Sequence, residues 1–262
     1  MTDLELLGLY DRQLRGGSDD PGTVSEQDGP LVRVTGGHPG SVSGAPDLGV
    51  RGAELDALIA RQVAHFAARG EALDWQVRGH DRPAELPDRL LAAGFVPQGE
   101  ATVLAGETAR FTAAGEPPAG VLVRRTADPA DAGRIAALYS EVWRQDLSFI
   151  GALLRDRLAH RPELTAVVLA EAADGALVSA GWLKLREGTD FAGLLGGSTL
   201  APWRGRGIYR ALVAERARIA EQAGRRYLKV DASADSAPIL RGLGFRQLTT
   251  RTIYRWTPPP NG

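Results

Sequence analysis

Cysteine is absent from all 262 residues, which excludes disulfide bonds, thiolate metal sites and a cysteine nucleophile together. An excess of charge of one sign is also lacking. With 31 basic and 32 acidic residues the formal charge is −1, so no long-range attraction draws the chain to nucleic acid or to an anionic membrane, and any basic site must be local. No apolar run reaches the roughly 18 residues of a membrane span. The first residues, "MTDLELLGLYDRQLRG", carry acids where a secretory signal needs a basic start. A soluble, unprocessed cytoplasmic protein is the expectation. Histidine occurs only at His38, His65, His80 and His160, with no ligand spacing among them, so no metal site is expected and all four read as structural or solvated. Lysine is confined to Lys184 and Lys229, a compositional bias without functional weight.

What is present divides into two similar stretches, and the length suits one large domain or two small ones. Leu4 to Arg15 has helical spacing and ends at Gly16–Gly17; turn formers follow to Gly29 and read as loop. "LVRVT" at 31–35 alternates as a strand, and "GGHPGSVSGAPDLG" reads as loop or broken hairpin. Ala53 to Arg69 is an amphipathic helix closed by Gly70. A strand "LDWQV", a short helix "LPDRLLAAG" and a strand "ATVLA" complete the first stretch. In the second, "VLVRR" is a strand, Asp128 with Pro129 starts a helix, and another helix covers Phe149 to His160. "TAVVLAEA" and "ALVSAGWLKLRE" form an antiparallel pair, followed by the strand "FAGLLGGSTL". A long helix then runs to Ala223, its apolar stripe interrupted by Arg216. The strand "RYLKVD", the short helix "SAPILRGLG" and the strand or strand pair "FRQLTTRTIYRW" close the chain.

Both stretches end as strand, helix, Gly-Phe, strand, with Gly94 and Phe95 aligned on Gly244 and Phe245. The division expected from this repeat is a degenerate domain at 1–107, a linker at 108–118 and a working domain at 119–262. "TARFTAAGEPPAG", with two prolines and no apolar period, marks the join.

Only the second stretch contains "TLAPWRGRGIYRAL", residues 199–212. A chain that leaves a strand and enters a helix there turns several unpaired N–H groups and the positive end of the helix dipole into one small space. Gly205 and Gly207 let an anion approach the backbone, and Arg204, Arg206 and Arg210 add charged donors. The pattern for nucleoside triphosphates fails, because no Gly-Lys-Ser/Thr follows; that for dinucleotides fails at Arg210, which replaces the third glycine.

The order strand, R-G-R-G, long helix, strand, short helix and Leu-Gly-Phe opening a last strand resembles the GNAT acyltransferase superfamily over roughly residues 119–258. The resemblance implies an α/β fold: a mixed, mostly antiparallel sheet flanked by helices, here as a tandem of a degenerate and a complete half, the first shaping the acceptor cleft. It also implies acetyl-CoA as co-substrate, with Arg204, Gly205, Arg206, Gly207, Ile208 and Tyr209 at the pyrophosphate. Gly197, Ser198 and Thr199 would expose backbone groups to the pantetheine arm, and an N–H near Ser198 or Thr199 would meet the thioester oxygen. The activity implied is transfer of an acetyl group to an amine of a small molecule or peptide by direct attack.

Departures from the family pattern are visible. Tyr209 stands where Gly or Ala is usual, which puts the fit of the phosphates in question. Leu240 replaces the tyrosine that often protonates the thiolate, Ser233 replaces an asparagine, and 191–200 lacks the usual carboxylate. A free amine, with a pKa of roughly 10, must lose a proton before it attacks. Glu141 and Asp231 are the candidate bases; Ser233, Tyr254, Tyr139 and Tyr209 are candidate donors. A non-catalytic acyl-CoA sensor is the alternative. Monomer and homodimer are both compatible with the sequence. Binding of nucleic acid through the arginines at 204–226 is disfavoured by the interleaved Glu215 and Glu221.

Overall fold

The computed structural model describes residues 1–37, 39–113 and 115–259. His38, expected to be solvated, lies outside them, as do Ala114 of the expected linker and the last three residues of the expected second domain. The chain forms two compact units whose boundaries differ from those expected. One comprises Met1–Val103, Ala232–Asp235 and Gln247–Gly262; the other comprises Leu104–Asp231 and Ser236–Arg246.

The first unit contains α1 (Asp3–Leu14), β1 (Val24–Asp28), β2 (Leu31–Thr35), β3 (Gly40–Gly44), α2 (Gly52–Ala67), β4 (Leu73–Arg78), α3 (Leu86–Ala92) and the start of β5 (Val96–Glu107). Helix α1 opens with a capping box, Thr2 receiving the Glu5 N–H while the Glu5 carboxylate accepts from Thr2. Two strands occupy segments read as loop. β1, polar after Val24 at "VSEQD" and solvent-facing, pairs antiparallel with β2. β3 runs antiparallel to β2 and parallel to β4. Its glycines belong in a strand because of close approach: a Cβ at Gly40 would lie 2.3 Å from Phe66, and one at Gly44 2.5 Å from Leu48. The core gathers Leu31, Val42, Leu55, Ile59, Phe66, Leu73, Trp75 and Phe95.

The second unit holds β6 (Val121–Thr126), α4 (Pro129–Trp143), α5 (Ser148–His160), β7 (Thr165–Ala172), β8 (Leu177–Leu185), β9 (Phe191–Thr199), α6 (Ile208–Gln222), β10 (Tyr227–Ala232, its last residue counted with the first unit) and α7 (Ser236–Gly242). Its strand order from β10 outward is β10-β9-β8-β7-β6, with β6, β7, β8 and β9 consecutively antiparallel and β9–β10 parallel. Asp128 caps α4 as expected, its carboxylate accepting from Ala130 N at 2.8 Å. On one face Ile135, Leu138, Tyr139 and Leu154 of α4 and α5 cover Val167, Leu169, Ala180 and Trp182. Helix α6 packs on the sheet through Leu212 and through Ala211, Ala214, Ala217 and Ala220, whose small side chains permit close approach.

The terminal strand β11 (Arg246–Trp256) pairs with β4, from Arg251↔Arg78 to Trp256↔Leu73. It therefore belongs to the first unit, although it follows the second in sequence. The expected linker is not free chain at its start: Thr108–Arg110 is a turn of 3₁₀ helix, and Phe111, fully buried, stacks on Phe245 at 4.1 Å between ring centres. The repeat has one geometry in both copies. Gly94 and Gly244 adopt φ of 86° and 103°, and Phe95 N and Phe245 N donate to Leu90 O and Leu240 O at 3.0 and 3.1 Å.

Candidate functional site

Strand β9 ends at Thr199, and a 3₁₀ turn at Ala201–Trp203 delivers the chain into R-G-R-G. Gly205 and Gly207 adopt φ of 74° and 85°, with nothing within 4 Å of a Cβ built on either. Backbone conformation, not crowding, therefore requires glycine at both. Gly207 is the N-cap of α6 and supplies no side-chain acceptor. The first N–H groups of the helix thus remain available at an exposed loop, together with the positive end of the dipole. Two arginines brace this loop: Arg204 Nε donates to Thr199 O at 3.0 Å, and the Arg206 guanidinium lies 4.8 Å from the centre of the Trp203 ring.

The two edges of β9 are both irregular near this loop. On one, pairing with β10 runs through Phe191↔Tyr227, Ala192↔Leu228 and Gly193↔Lys229 and stops, so the parallel strands open toward the loop. On the other, β9 pairs with β8 at Thr199↔Ser179 and Ser198↔Ala180 and then from Leu195↔Trp182, which sets Gly196 and Gly197 against the single residue Gly181. This is a β-bulge with glycine at all three positions.

Three side chains use the space those glycines leave. A Cβ at Gly196, whose φ is +62°, would lie 2.3 Å from Tyr139 Oη of α4; one at Gly197 would lie 2.7 Å from the Tyr209 ring; one at Gly181 would meet Arg216 Nη1 at 2.7 Å. Tyr209 therefore turns its ring inward to the sheet. Burial raises the pKa of both Tyr139 and Tyr209, with Arg216 opposing, so both phenols stay protonated.

Ser198 and Thr199 were expected to expose backbone groups, but their carbonyls are engaged. Ser198 O accepts from Ser179 Oγ at 2.7 Å and Thr199 O from Arg204, while Ser198 Oγ accepts from Trp143 Nε1 at 2.9 Å. Gly197 is half-buried and Ile208, buried, anchors the first turn of α6. Of the candidate bases, Asp231 sits at the end of β10 with its carboxylate 2.6 Å from Lys229 Nζ. Glu141 is exposed on α4, beside a hollow of about 300 Å³ lined by Arg134, Ala137, Leu138, Leu177 and Leu200. Ser233 and Tyr254 are counted with the first unit; Tyr254 is set opposite Trp75 and packs on that unit's core. Leu240, at the position of the usual tyrosine, is fully buried. Nothing in the sequence signals the bulge, and Arg216 is visible there only as an interruption of the apolar stripe of α6, without a role. Among the described residues no group of three or more His, Asp or Glu side chains comes together as a metal site would require, and no helix is long and apolar enough to cross a membrane.

No family model and no curated protein matches this chain in sequence. Solved structures match it in shape. A GCN5-related N-acetyltransferase from Kribbella flavida superposes with a TM-score of 0.70 at 19% identity, over 98% of this chain and 95% of that one. A tandem GNAT protein from the clavulanic acid biosynthesis pathway gives 0.64 at 15% identity, over 100% and 97%. The fold is that of the tandem GNAT proteins. A GCN5-related N-acetyltransferase from Sphaerobacter thermophilus adds a TM-score of 0.61 at 20% identity, over 90% and 83%. At these identities the shared property is the GNAT fold, and the near-complete coverage in both directions extends it to the first half of the chain.

Proposed function

We propose that this protein is a GNAT-family N-acyltransferase that moves an acetyl group from acetyl-CoA to an amine of a small molecule or peptide. The observation that carries the reading is the conjunction at the end of β9: two positive-φ glycines at an uncapped helix N-terminus, directly beyond the point where β9 and β10 part. The loop suits a pyrophosphate, through the N–H groups at Gly205 to Tyr209 and the outward N–H groups of Arg204 and Arg206. The unpaired edge of β9 suits an extended amide-bearing arm, which would add to it as a strand does. Bound there, acetyl-CoA supplies the activated acyl group.

The remaining tasks fall to this chain's own residues. Asp231, ion-paired to Lys229 at the open end of β10, is the proposed base that takes the amine proton, directly or through water. The protonated Tyr209 hydroxyl at the bulge is the proposed donor to the leaving thiolate, in the absence of a phenol at Leu240. The alternative is a sensor that binds acyl-CoA without turning it over; the absence of a carboxylate from β9 and the buried Leu240 favour it. Incubation with acetyl-CoA and a panel of amines, following free thiol, separates the two. Thiol release with at least one amine supports transfer; tight acetyl-CoA binding with no release supports the sensor; no binding of CoA at all overturns both.

A further inference from the structure

Arg216 occupies a position on α6 that its helical period reserves for an apolar residue, and it is 1% exposed. Among the described residues no carboxylate pairs with it. Its Nε donates to Leu212 O at 3.0 Å, and Nη1 reaches Leu195 O at 3.3 Å and Trp182 O at 3.5 Å. Leu195 and Trp182 are the opposed residues at which the β8–β9 ladder resumes after the bulge. The guanidinium therefore bridges two strand carbonyls at the place where the regular ladder is broken. Gly181 of β8 admits it, since a Cβ there would lie 2.7 Å from Nη1 and 2.9 Å from Cζ. Burial lowers the pKa of this arginine, and only Tyr209 and Tyr139 oppose the shift. An apolar side chain of similar length would avoid that desolvation, so stability alone does not account for a cation here.

We propose that Arg216 is a positioning residue for acyl transfer, holding the bulge and fixing the Leu195–Gly196 peptide so that the Gly196 N–H faces the slot where the thioester oxygen is bound. The proposal rests on the acyl-CoA reading above. A trans peptide is planar, with its C=O and N–H directed oppositely. Leu195 O is turned toward Arg216 and β8, so the Gly196 N–H is turned toward the edge of β9 that β10 leaves unpaired after Gly193. A charged donor on the carbonyl also polarises the peptide and strengthens the N–H at its other end. Tyr139 and Tyr209 close over the two glycines and keep water from the guanidinium.

The test compares the full chain with Arg216→Met, which keeps the length and removes the donors, and with Arg216→Lys, which keeps the charge but loses the planar fork and the Nε bond to Leu212 O that orients it. Three readouts are taken: CoA affinity by calorimetry, kcat and KM for acetyl-CoA, and the chemical shift of the Gly196 amide proton. Weakening a donor to the oxyanion predicts a kcat lower by about tenfold or more in both variants, with CoA affinity and KM within about threefold. The Gly196 resonance moves upfield, more in Arg216→Met than in Arg216→Lys. A folded variant, either one, with kcat within about twofold of the wild type or with an unmoved Gly196 resonance overturns the proposal. A parallel loss of CoA affinity and kcat also overturns it, because that is the signature of general structural damage. Failure of the underlying reading is seen separately, as a wild-type chain that binds no CoA, and removes the proposal with it.

Discussion

Gly196 offers the sharpest test of the bulge geometry, because a single methyl group there has nowhere to go. In Gly196→Ala the new Cβ would sit 2.3 Å from Tyr139 Oη, 2.7 Å from Cζ and 2.8 Å from Cε2. Tyr139 cannot step aside: it is 3% exposed and packed among Ile135, Leu154, Val167 and Trp182. Two costs combine. Holding alanine at φ of +62° costs about 1–2 kcal/mol, and overpacking a filled core costs about 1–3 kcal/mol. The expected destabilisation is therefore about 2–5 kcal/mol, read from urea unfolding at constant slope. Tyr139→Phe separates the two contributions. The Tyr139 hydroxyl is buried without a hydrogen-bond partner among the described residues, so its removal alone costs nothing or slightly stabilises. In the Gly196→Ala background the same change removes the atom at 2.3 Å and leaves the ring carbons, so it should recover about 1 kcal/mol. A Gly196→Ala chain within about 0.5 kcal/mol of the wild type, or a double mutant with no recovery, would refute the placement of Tyr139 against the bulge.

Other consequences are open to measurement. Gly207→Glu sets a carboxylate at the helix N-terminus and should weaken CoA binding by more than about 100-fold, whereas Gly207→Ala, which carries only the backbone strain, should lose about tenfold or less; equal losses in calorimetry would remove charge from the explanation. Asp231→Asn should lower turnover by about 100-fold while Glu141→Gln changes it by less than about twofold, and the reverse order in a thiol-release assay would transfer the base to α4. Asp131 and Glu171 are held below their ordinary pKa values. At Asp131 burial opposes ionisation but is outweighed by the Thr126 hydroxyl and the guanidinium groups of Arg124 and Arg134; at Glu171 Arg124 dominates. Because their folded values are lowered, the stability they contribute is fully present above about pH 5 and is lost as pH falls through those lowered values. Melting temperatures from pH 7 to pH 3 should fall less steeply in Asp131→Asn than in the wild type, and identical acid slopes would show that the cluster is not linked to folding.

The helices of this chain were legible because period and caps are local: the stripe of α2, the Asp128–Pro129 start of α4 and the glycine closing α3 each need only a few neighbouring residues. The turn from strand to helix at R-G-R-G, with its two positive-φ glycines, was legible for the same reason. What escaped depends on partners distant in sequence. β1 carries no apolar residue beyond Val24 and exists through its ladder to β2; β3 is written in glycine and serine because Phe66 and Leu48 occupy the space of its side chains. The membership of β11 in the first unit follows from its register with β4, which no local pattern specifies.

The candidate site divides along the same line. R-G-R-G carries the proposed anion site in its residue types alone, whereas the bulge is spelled by Gly181, Gly196 and Gly197, which in sequence are only glycines in two strands. Their meaning comes from the side chains that enter from α4 and α6. Tyr209 looked like an obstruction because the family pattern puts a small residue there, and Leu240 looked like a missing acid because the pattern puts a phenol there. Leu240 is fully buried in α7, while the phenol of Tyr209 arrives at Gly197 from the first turn of α6. The proposed donor hydroxyl thus comes from α6 in place of α7, one residue past Ile208 and at the strand on which the acyl group is proposed to lie. The two departures, read separately as defects, are consistent with a single relocation of one donor.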